Sequence, residues 1–293
     1  MRKRAIVIGL GFIGVAVAWF VTAPQPLDPE RLVDPATDSL FEADASNGAL
    51  VFAAAGCASC HGAEGTEALA GGKSFVSDFG TFYAPNISTD VTHGIGGWSV
   101  YELANAMMAG VSPNGAHYFP AFPYTAYAKM TPQDAVDLVA HLRTLPADAT
   151  PSRDHDVGFP FNIRRSVGGW KMLFASDEWE VADVATPELE RGRYLVEALG
   201  HCAECHTPRN ALGALQSEKW MRGAPNPSGE GSIPSIHPDD LGWSAQDIAI
   251  YLDSGFTPEF DTAGGSMVDV IDNTAKLTDE DRAAIAAYLI ALD

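Results

Sequence analysis

The sequence has few cysteines and few basic residues. Four cysteines occur among 293 residues, and 18 lysines and arginines stand against 38 aspartates and glutamates, a net charge of −20. Nucleic acid repels such a surface, so nucleic-acid binding is excluded as a function class. Alternation of apolar and polar residues, the pattern of half-buried strands, is also scarce, and no substrate-pocket motif is recognisable. The cysteines are therefore the first candidates for residues that bind a cofactor or react.

All four cysteines belong to two copies of one motif, Cys57–His61 and Cys202–His206, which are 145 residues apart. C-x-x-C-H is the attachment motif of c-type haem: the thiols form thioethers with the haem, and the histidine is the proximal iron ligand. A zinc bound by four thiolates and two disulfides are the alternatives, but neither requires a histidine after each pair. The motifs predict two covalently bound haem c groups with His61 and His206 as proximal ligands.

An internal repeat surrounds the two motifs. The same shift of 145 residues that superposes the cysteines places 97–99 on 242–244, both Gly-Trp-Ser, and a shift of 147 aligns 128–131 with 275–278. Two domains of one kind follow. The predicted division is a hydrophobic signal-anchor helix over 1–27, a tether over 28–45, the first domain over 46–146, an interdomain segment over 147–185 and the second domain over 186–293.

Helix signals dominate both halves. Ser99 and Ser244 are each followed three residues later by an acid, the capping-box pattern of a helix start. Thr131 and Thr278 are N-caps for the closing helix of each half. Together with the scarcity of strand patterns, these signals predict an all-α fold wrapped around a flat apolar cofactor.

The distal iron ligands are predicted to be Met130 and Met267, which lie about 60 to 70 residues after their histidines and before the closing helices. Methionine at this position raises the reduction potential. The two are not equivalent under the repeat, because Met130 aligns with Leu277 and Met267 falls ten residues earlier. The alternative is that either methionine is core filler, and His117 competes for the first iron. The other methionines have other predicted roles: Met107 and Met108 are mid-helix core residues, Met1 is the initiator, Met172 is interdomain, and Met221 is too close to its haem site.

Three further strings resemble a known family: Pro120–Tyr124, Phe159–Arg164 and Cys205–Asn210. They are similar to the cytochrome c subunits of bacterial membrane-bound dehydrogenases for alcohol, gluconate and related sugars, from about residue 45 to the C-terminus. The resemblance implies two tandem class I cytochrome c domains and an electron-transfer subunit, not an enzyme. Such a subunit takes electrons from a catalytic partner and passes them to the respiratory chain. The other electron-transfer role is a membrane-tethered relay whose partner is a respiratory complex or an oxidase. Alcohol dehydrogenase-type subunits carry three haem domains, whereas this chain has two.

A competing prediction is a dihaem redox enzyme, such as a peroxidase or a thiosulfate-oxidising cytochrome. A peroxidase requires an exchangeable distal position on one iron, but both halves here offer a methionine. Arg209, close to the second haem histidine, is predicted to contact a haem propionate; a surface ion pair is the alternative.

The N-terminus predicts export. Basic residues at 2–4 precede an uncharged run from Ala5 to Leu27, which reads as an uncleaved membrane anchor or as a cleaved signal peptide. Either places the haem domains on the periplasmic side of a bacterial cytoplasmic membrane, anchored in the first case and free in the second. A redox protein with a basic docking rim is the expected partner of the acidic surface, although the charge could serve solubility alone.

Overall fold

Each half of the chain is built mainly from helices in the computed structural model, which describes residues 14, 16–62, 67–227, 229 and 231–292. The helices of the first half are α1 (Ala45–Ala54), α2 (Cys57–His61), α3 (Val100–Ala109), α4 (Tyr124–Tyr127) and α5 (Pro132–Leu142). An interdomain helix follows, α6 (Ser166–Phe174). The second half contains α7 (Pro187–Arg193), which continues into a π-helical turn (Tyr194–Leu199), then α8 (Ala203–His206), α9 (Pro238–Leu241), α10 (Ala245–Ser254), α11 (Met267–Thr274) and α12 (Asp279–Ile290).

The all-α prediction is wrong, because the described residues also form three small antiparallel sheets. Their strands are β1 (Val33–Asp34) with β2 (Ser39–Leu40); β3 (Ser74–Ser77), β4 (Gly80–Tyr83) and β5 (Asp156–Val157); and β6 (Ala224–Pro225) with β7 (Ser232–Ile233). Each strand has two to four residues, too few for an alternating pattern to stand out in the sequence. In the three-stranded sheet, Gly80 of β4 pairs with Val157 of β5, so the interdomain segment extends a hairpin of the first half.

The predicted fold also included a hydrophobic N-terminal helix that crosses the membrane. No helix in the described part of the chain is long and apolar enough to do so. Most of the predicted span, residues 1–13 and 15, lies outside the described residues. The end of that segment lies against the first half: Thr22 O accepts a hydrogen bond from His117 Nε2 (3.0 Å), and Leu27 N donates to Asn105 Oδ1 (2.8 Å).

In both halves the first helix crosses the closing helix at a glycine. A Cβ added at Gly48 of α1 would lie 2.0 Å from the carbonyl oxygen of Asp137 in α5. A Cβ added at Gly192 of α7 would lie 2.0 Å from the carbonyl oxygen of Ala284 in α12. The backbones therefore touch at both crossings, and these two crossings fix the frame in which each C-x-x-C-H turn is held.

The predicted capping boxes are confirmed at Ser99 and Ser244. In the second, Ser244 Oγ accepts from Asp247 N (3.2 Å) while the Asp247 carboxylate accepts from Ser244 N (3.0 Å). We expect Ser244→Ala to lower the free energy of unfolding by about 1 kcal/mol, measured by denaturant titration. Ser254→Ala, at the other end of the same helix, is the control; a loss as large in Ser254→Ala as in Ser244→Ala would contradict the capping role.

Candidate functional site

The two C-x-x-C-H strings form single helical turns, α2 and α8, with Cys202 as the N-cap of the latter. Residues three and four apart share one face of a helix, so each turn presents two thiols and the following imidazole together. All four thiols are free of disulfide bonds. Burial raises the pKa of the Cys57 and Cys202 thiols to about 12, which keeps both neutral at physiological pH.

Each predicted proximal histidine has its ring orientation set by a proline carbonyl. His61 Nδ1 lies 2.8 Å from the carbonyl oxygen of Pro85, and His206 Nδ1 lies 2.8 Å from that of Pro234. Since a carbonyl oxygen only accepts, each Nδ1 carries the proton and donates it, which leaves the Nε2 lone pair for a metal. Burial lowers the pKa of both imidazoles, which favours this neutral, metal-binding form.

The two prolines were missed by sequence reasoning, although the repeat contains a signal for them. Pro85 begins the string Pro-Asn-Ile, and Pro234 begins Pro-Ser-Ile. The equivalence is also structural, because Ile87 N donates to Leu69 O (2.9 Å) and Ile236 N donates to Met221 O (2.9 Å). A proline–x–isoleucine string 24 or 28 residues after the histidine is therefore part of each site.

An unpaired donor beside the second site fits a bound group with carboxylates. The indole Nε1 of Trp220 is buried and finds no hydrogen-bond partner among the described residues. Trp220 precedes a stretch fastened to the second turn: Met221 N donates to Thr207 Oγ1 (3.0 Å), and Gly223 N donates to His206 O (2.7 Å). A buried donor without an acceptor is costly, and a haem propionate would supply the acceptor. The thiols, the histidine tautomers and this indole together fit covalently bound haem.

The alternative of a zinc site finds no support in the described ranges, where no three His, Cys, Asp or Glu side chains converge as metal ligands.

The two predicted distal ligands have different surroundings. Met130 is 1% exposed and enclosed in the hydrophobic core. Met267 begins α11 and is only partly buried at the edge of that core. Coordination of iron by either sulfur stays a prediction. The rival His117 is 2% exposed, and its Nε2 is held by the carbonyl of Thr22.

Arg209 has protein partners in the structure. Its guanidinium forms an ion pair with the carboxylate of Glu204, inside the second C-x-x-C-H turn, and donates to Gly213 O (2.8 Å). These bonds tie the loop after α8 to the haem-attachment turn. The propionate contact of Arg209 stays a prediction.

The first attachment turn packs against the second half. Ser59, within α2, accepts a hydrogen bond at Oγ from Asn273 Nδ2 of α11 (2.7 Å). Lys73 bridges the same contact: its Nζ donates to Ser59 O (2.8 Å) and to the carboxylate of Asp269 (2.8 Å). Helix α11 begins at Met267. The proximal turn of one site therefore touches the helix that carries the predicted distal ligand of the other.

The reverse contact is made by the residue that precedes the second attachment turn. The ring of Tyr127 in α4 packs edge-on against His201, 5.6 Å between centroids, while the Tyr127 hydroxyl donates to Ala55 O within the first half (3.0 Å). Burial is the main cause of the raised pKa of Cys60, the nearby Lys73 lowers it, and Cys205 of the other motif raises it further. With the bond of Ser59 to Asn273, the contact of His201 with Tyr127 brings each attachment turn or its flank against the opposite half.

Comparison with known proteins agrees with this geometry. The Cytochrome c family profile matches residues 45–146 and 189–293. A diheme cytochrome c-type protein of Cereibacter sphaeroides is 51% identical over 98% of this chain and 97% of its own length.

Two further relatives are cytochrome subunits of dehydrogenases. The fructose dehydrogenase cytochrome subunit of Gluconobacter japonicus is 37% identical over 87% of this chain and 54% of its own length. The gluconate 2-dehydrogenase cytochrome c subunit of Pantoea cypripedii is 34% identical over 88% of this chain and 61% of its own length. The chain thus spans little more than half the length of these two. The two C-x-x-C-H turns, their histidine geometry and these matches show that the chain belongs to the cytochrome c family and carries two covalently bound haem c groups.

Proposed function

We propose that this chain is a dihaem electron-transfer subunit that accepts electrons from the catalytic subunit of a dehydrogenase and passes them towards a respiratory chain. The observation that carries the proposal is that each attachment turn or its flank packs against the other half, Ser59 of α2 against α11 and His201 before α8 against α4. Two attachment sites that pack across the boundary between the halves suit transfer of electrons from one cofactor to the other within one chain. The similarity to cytochrome subunits of fructose and gluconate dehydrogenases supports the dehydrogenase partner.

The protein's own contribution is to hold and orient the cofactors. The four cysteines would anchor the haems, and His61 and His206 would bind iron through the Nε2 atoms that Pro85 and Pro234 leave free. Haem supplies reversible one-electron chemistry at a potential that its axial ligands set. Met267 is the proposed distal ligand of the second iron. For the first iron, the sequence predicts Met130, whereas the structural repeat favours a methionine of α3.

A periplasmic location is part of the proposal, because covalent haem attachment normally takes place outside the cytoplasmic membrane. The basic residues at 2–4 followed by an uncharged run support export of the chain. Cell fractionation with a C-terminal tag would test it, and recovery of haem-loaded protein in the cytoplasm would contradict it.

The electron-transfer role is tested with the haem-loaded chain purified together with its catalytic partner. Adding the partner's substrate should reduce both haems, two per chain, followed by the change in visible absorption. The control is the same substrate added to the haem-loaded chain alone, which should stay oxidised. Haems that stay oxidised in the complex would contradict the proposal. So would steady consumption of peroxide or thiosulfate by the chain alone, which would favour the dihaem enzyme.

The net charge of −20 predicts that encounter with the redox partner is steered by electrostatics. We expect the bimolecular rate of electron transfer to fall as salt is raised from 10 to 500 mM, since the screening length shrinks from about 30 Å to below 10 Å. The rate of transfer between the two haems within the chain is the internal control and should not change. A bimolecular rate that is independent of salt would mean that the acidic surface serves solubility alone.

A further inference from the structure

The structural repeat allows the two distal regions to be matched residue by residue. In the first half, Tyr118 N donates to Gly110 O (2.9 Å), and in the second Ala263 N donates to Gly255 O (2.8 Å). Both glycines are left-handed C-caps, of α3 and α10. These bonds fix Tyr118 as the equivalent of Ala263, and they attach the start of each distal segment to the end of the preceding helix.

The far ends of the two segments are matched by a second pair of bonds. Ala128 N donates to Tyr124 O (2.9 Å), and Ala275 N donates to Ile271 O (2.9 Å). Tyr124 is therefore equivalent to Ile271. The distal segment is 119–123 in the first half and 264–270 in the second, two residues longer.

Met267 lies in the middle of its segment, but 119–123 contains no methionine. Phe122 is the fourth residue after Tyr118, as Met267 is the fourth after Ala263, and both side chains are partly buried at the edge of the core. Met130 lies beyond the segment: its N–H donates to Tyr127 O (2.9 Å), as that of Leu277 does to Thr274 O (3.1 Å). Met130 and Leu277 are thus equivalent positions, 1% and 5% exposed. A sulfur that coordinates iron must face the cofactor, whereas Met130 is enclosed by core side chains.

Another methionine lies on the helix to which the first distal segment is attached. Met107 is in the last turn of α3, three residues before Gly110, the C-cap to which Tyr118 is bonded. It continues the stripe of Val100, Leu103 and Ala104 at helical spacing, and it is partly buried at the core edge. Its neighbour Met108 lies on a different face, among Leu27, Tyr124 and Lys171.

The equivalent of Met107 in the second half is Leu252 of α10. The backbone of Leu252 contacts α11, the helix that begins within its distal segment, since its carbonyl accepts from Thr274 Oγ1 (2.6 Å). The second half therefore combines a segment methionine, Met267, with a helix leucine. The first half combines a segment phenylalanine, Phe122, with a helix methionine. At these two matched positions, each half has one thioether and one hydrocarbon side chain, but the segment and the helix carry them in opposite order.

We infer that Met107, rather than Met130, supplies the distal sulfur to the first iron, with Phe122 filling the place that Met267 has in the second half. This rests on the proposed function, because an electron carrier holds both irons with two protein ligands. Axial-ligand identity sets the potential of a haem, so delivery of one sulfur from a helix and the other from a glycine-containing segment gives the two irons different surroundings.

The test uses the haem-loaded chain and three matched leucine variants. Methionine–iron coordination gives oxidised haem c a far-red absorption band, and a reduced iron that lacks its sixth ligand binds carbon monoxide. Met107→Leu and Met267→Leu should each lose half of the band and bind one carbon monoxide per chain. Met130→Leu, which only copies the natural Leu277, should keep the full band and bind none. In Met107→Leu the potential of one haem should fall.

A compensating variant distinguishes loss of the iron ligand from misfolding of the chain. Phe122→Met combined with Met107→Leu returns the sulfur to the distal segment and should restore the lost half of the band. Loss of half the band in Met130→Leu would overturn the inference in favour of the sequence prediction. Binding of one carbon monoxide by the unaltered chain would overturn it in favour of an open first iron. Two haems per chain with reduction by a dehydrogenase, as tested above, would still support the proposed function in either case.

Discussion

Alanine at Gly192 is expected to lower the free energy of unfolding by about 3 kcal/mol, the upper end of the usual overpacking cost. The added Cβ would lie 2.0 Å from Ala284 O and 2.6 Å from Tyr288 Cβ, so helices α7 and α12 would have to separate. A side chain could rotate away, but a helix carbonyl cannot. Gly48→Ala should have a similar effect in the first half, since its Cβ would lie 2.0 Å from Asp137 O.

The matched control is Gly169→Ala in α6, where the nearest atom to the new Cβ is a methyl carbon of Thr22 at 3.9 Å. Alanine has the higher helix propensity, so this variant should be neutral or stabilising by up to about 1 kcal/mol. Thermal and denaturant unfolding of the haem-loaded chain provide the measurement. A Gly192→Ala variant as stable as Gly169→Ala would mean that the helices are not in backbone contact.

Removal of the Glu197 side chain is expected to lower the free energy of unfolding by about 3 kcal/mol, because it leaves one buried and two partly buried donors without an acceptor. Glu197 is 3% exposed in the π-helical turn before the second attachment turn. Its carboxylate accepts from Glu180 N (2.8 Å), from Val181 N (3.3 Å) and from the hydroxyl of Tyr288 in the closing helix. It thus joins the interdomain segment to the core of the second half.

Three variants separate this role from a general effect of charge. Glu197→Ala should lose the full amount, and Glu197→Gln, which keeps an acceptor oxygen, should lose less. Glu178→Ala, an exposed acid nearby, should be within about 0.5 kcal/mol of the parent protein, as is usual for surface changes. Denaturant unfolding of the haem-loaded protein measures all three. Equal stability of Glu178→Ala and Glu197→Ala would contradict the bonding role.

The features that were predicted well from the sequence depend on residues close to one another along the chain. The C-x-x-C-H turns span five residues, and the capping boxes at Ser99 and Ser244 span four, so local chemistry decides both. The small sheets could not be predicted, because strands of two to four residues carry no period, and β5 pairs with a hairpin more than 70 residues earlier.

The candidate site was only partly predictable for a related reason. His61 and His206 follow directly from the motif, but the prolines that orient them lie 24 and 28 residues away across loops of different length. The assignment of the distal ligands depends on the same difference in loop length between the two halves. A shift of 147 aligns Met130 with Leu277, yet only hydrogen bonds around 119–123 and 264–270 show where the two-residue difference falls.

The contact between Ser59 and Asn273 also constrains how the chain matures. These residues are 214 positions apart, and their bond brings α11 onto the first attachment turn. During synthesis from the N-terminus, Cys57 and Cys60 are made long before α11. Until α11 has been made, the first attachment turn lacks the helix that contacts it in the folded chain. We therefore expect thioethers to form at the first motif more readily before the second half packs against it than afterwards.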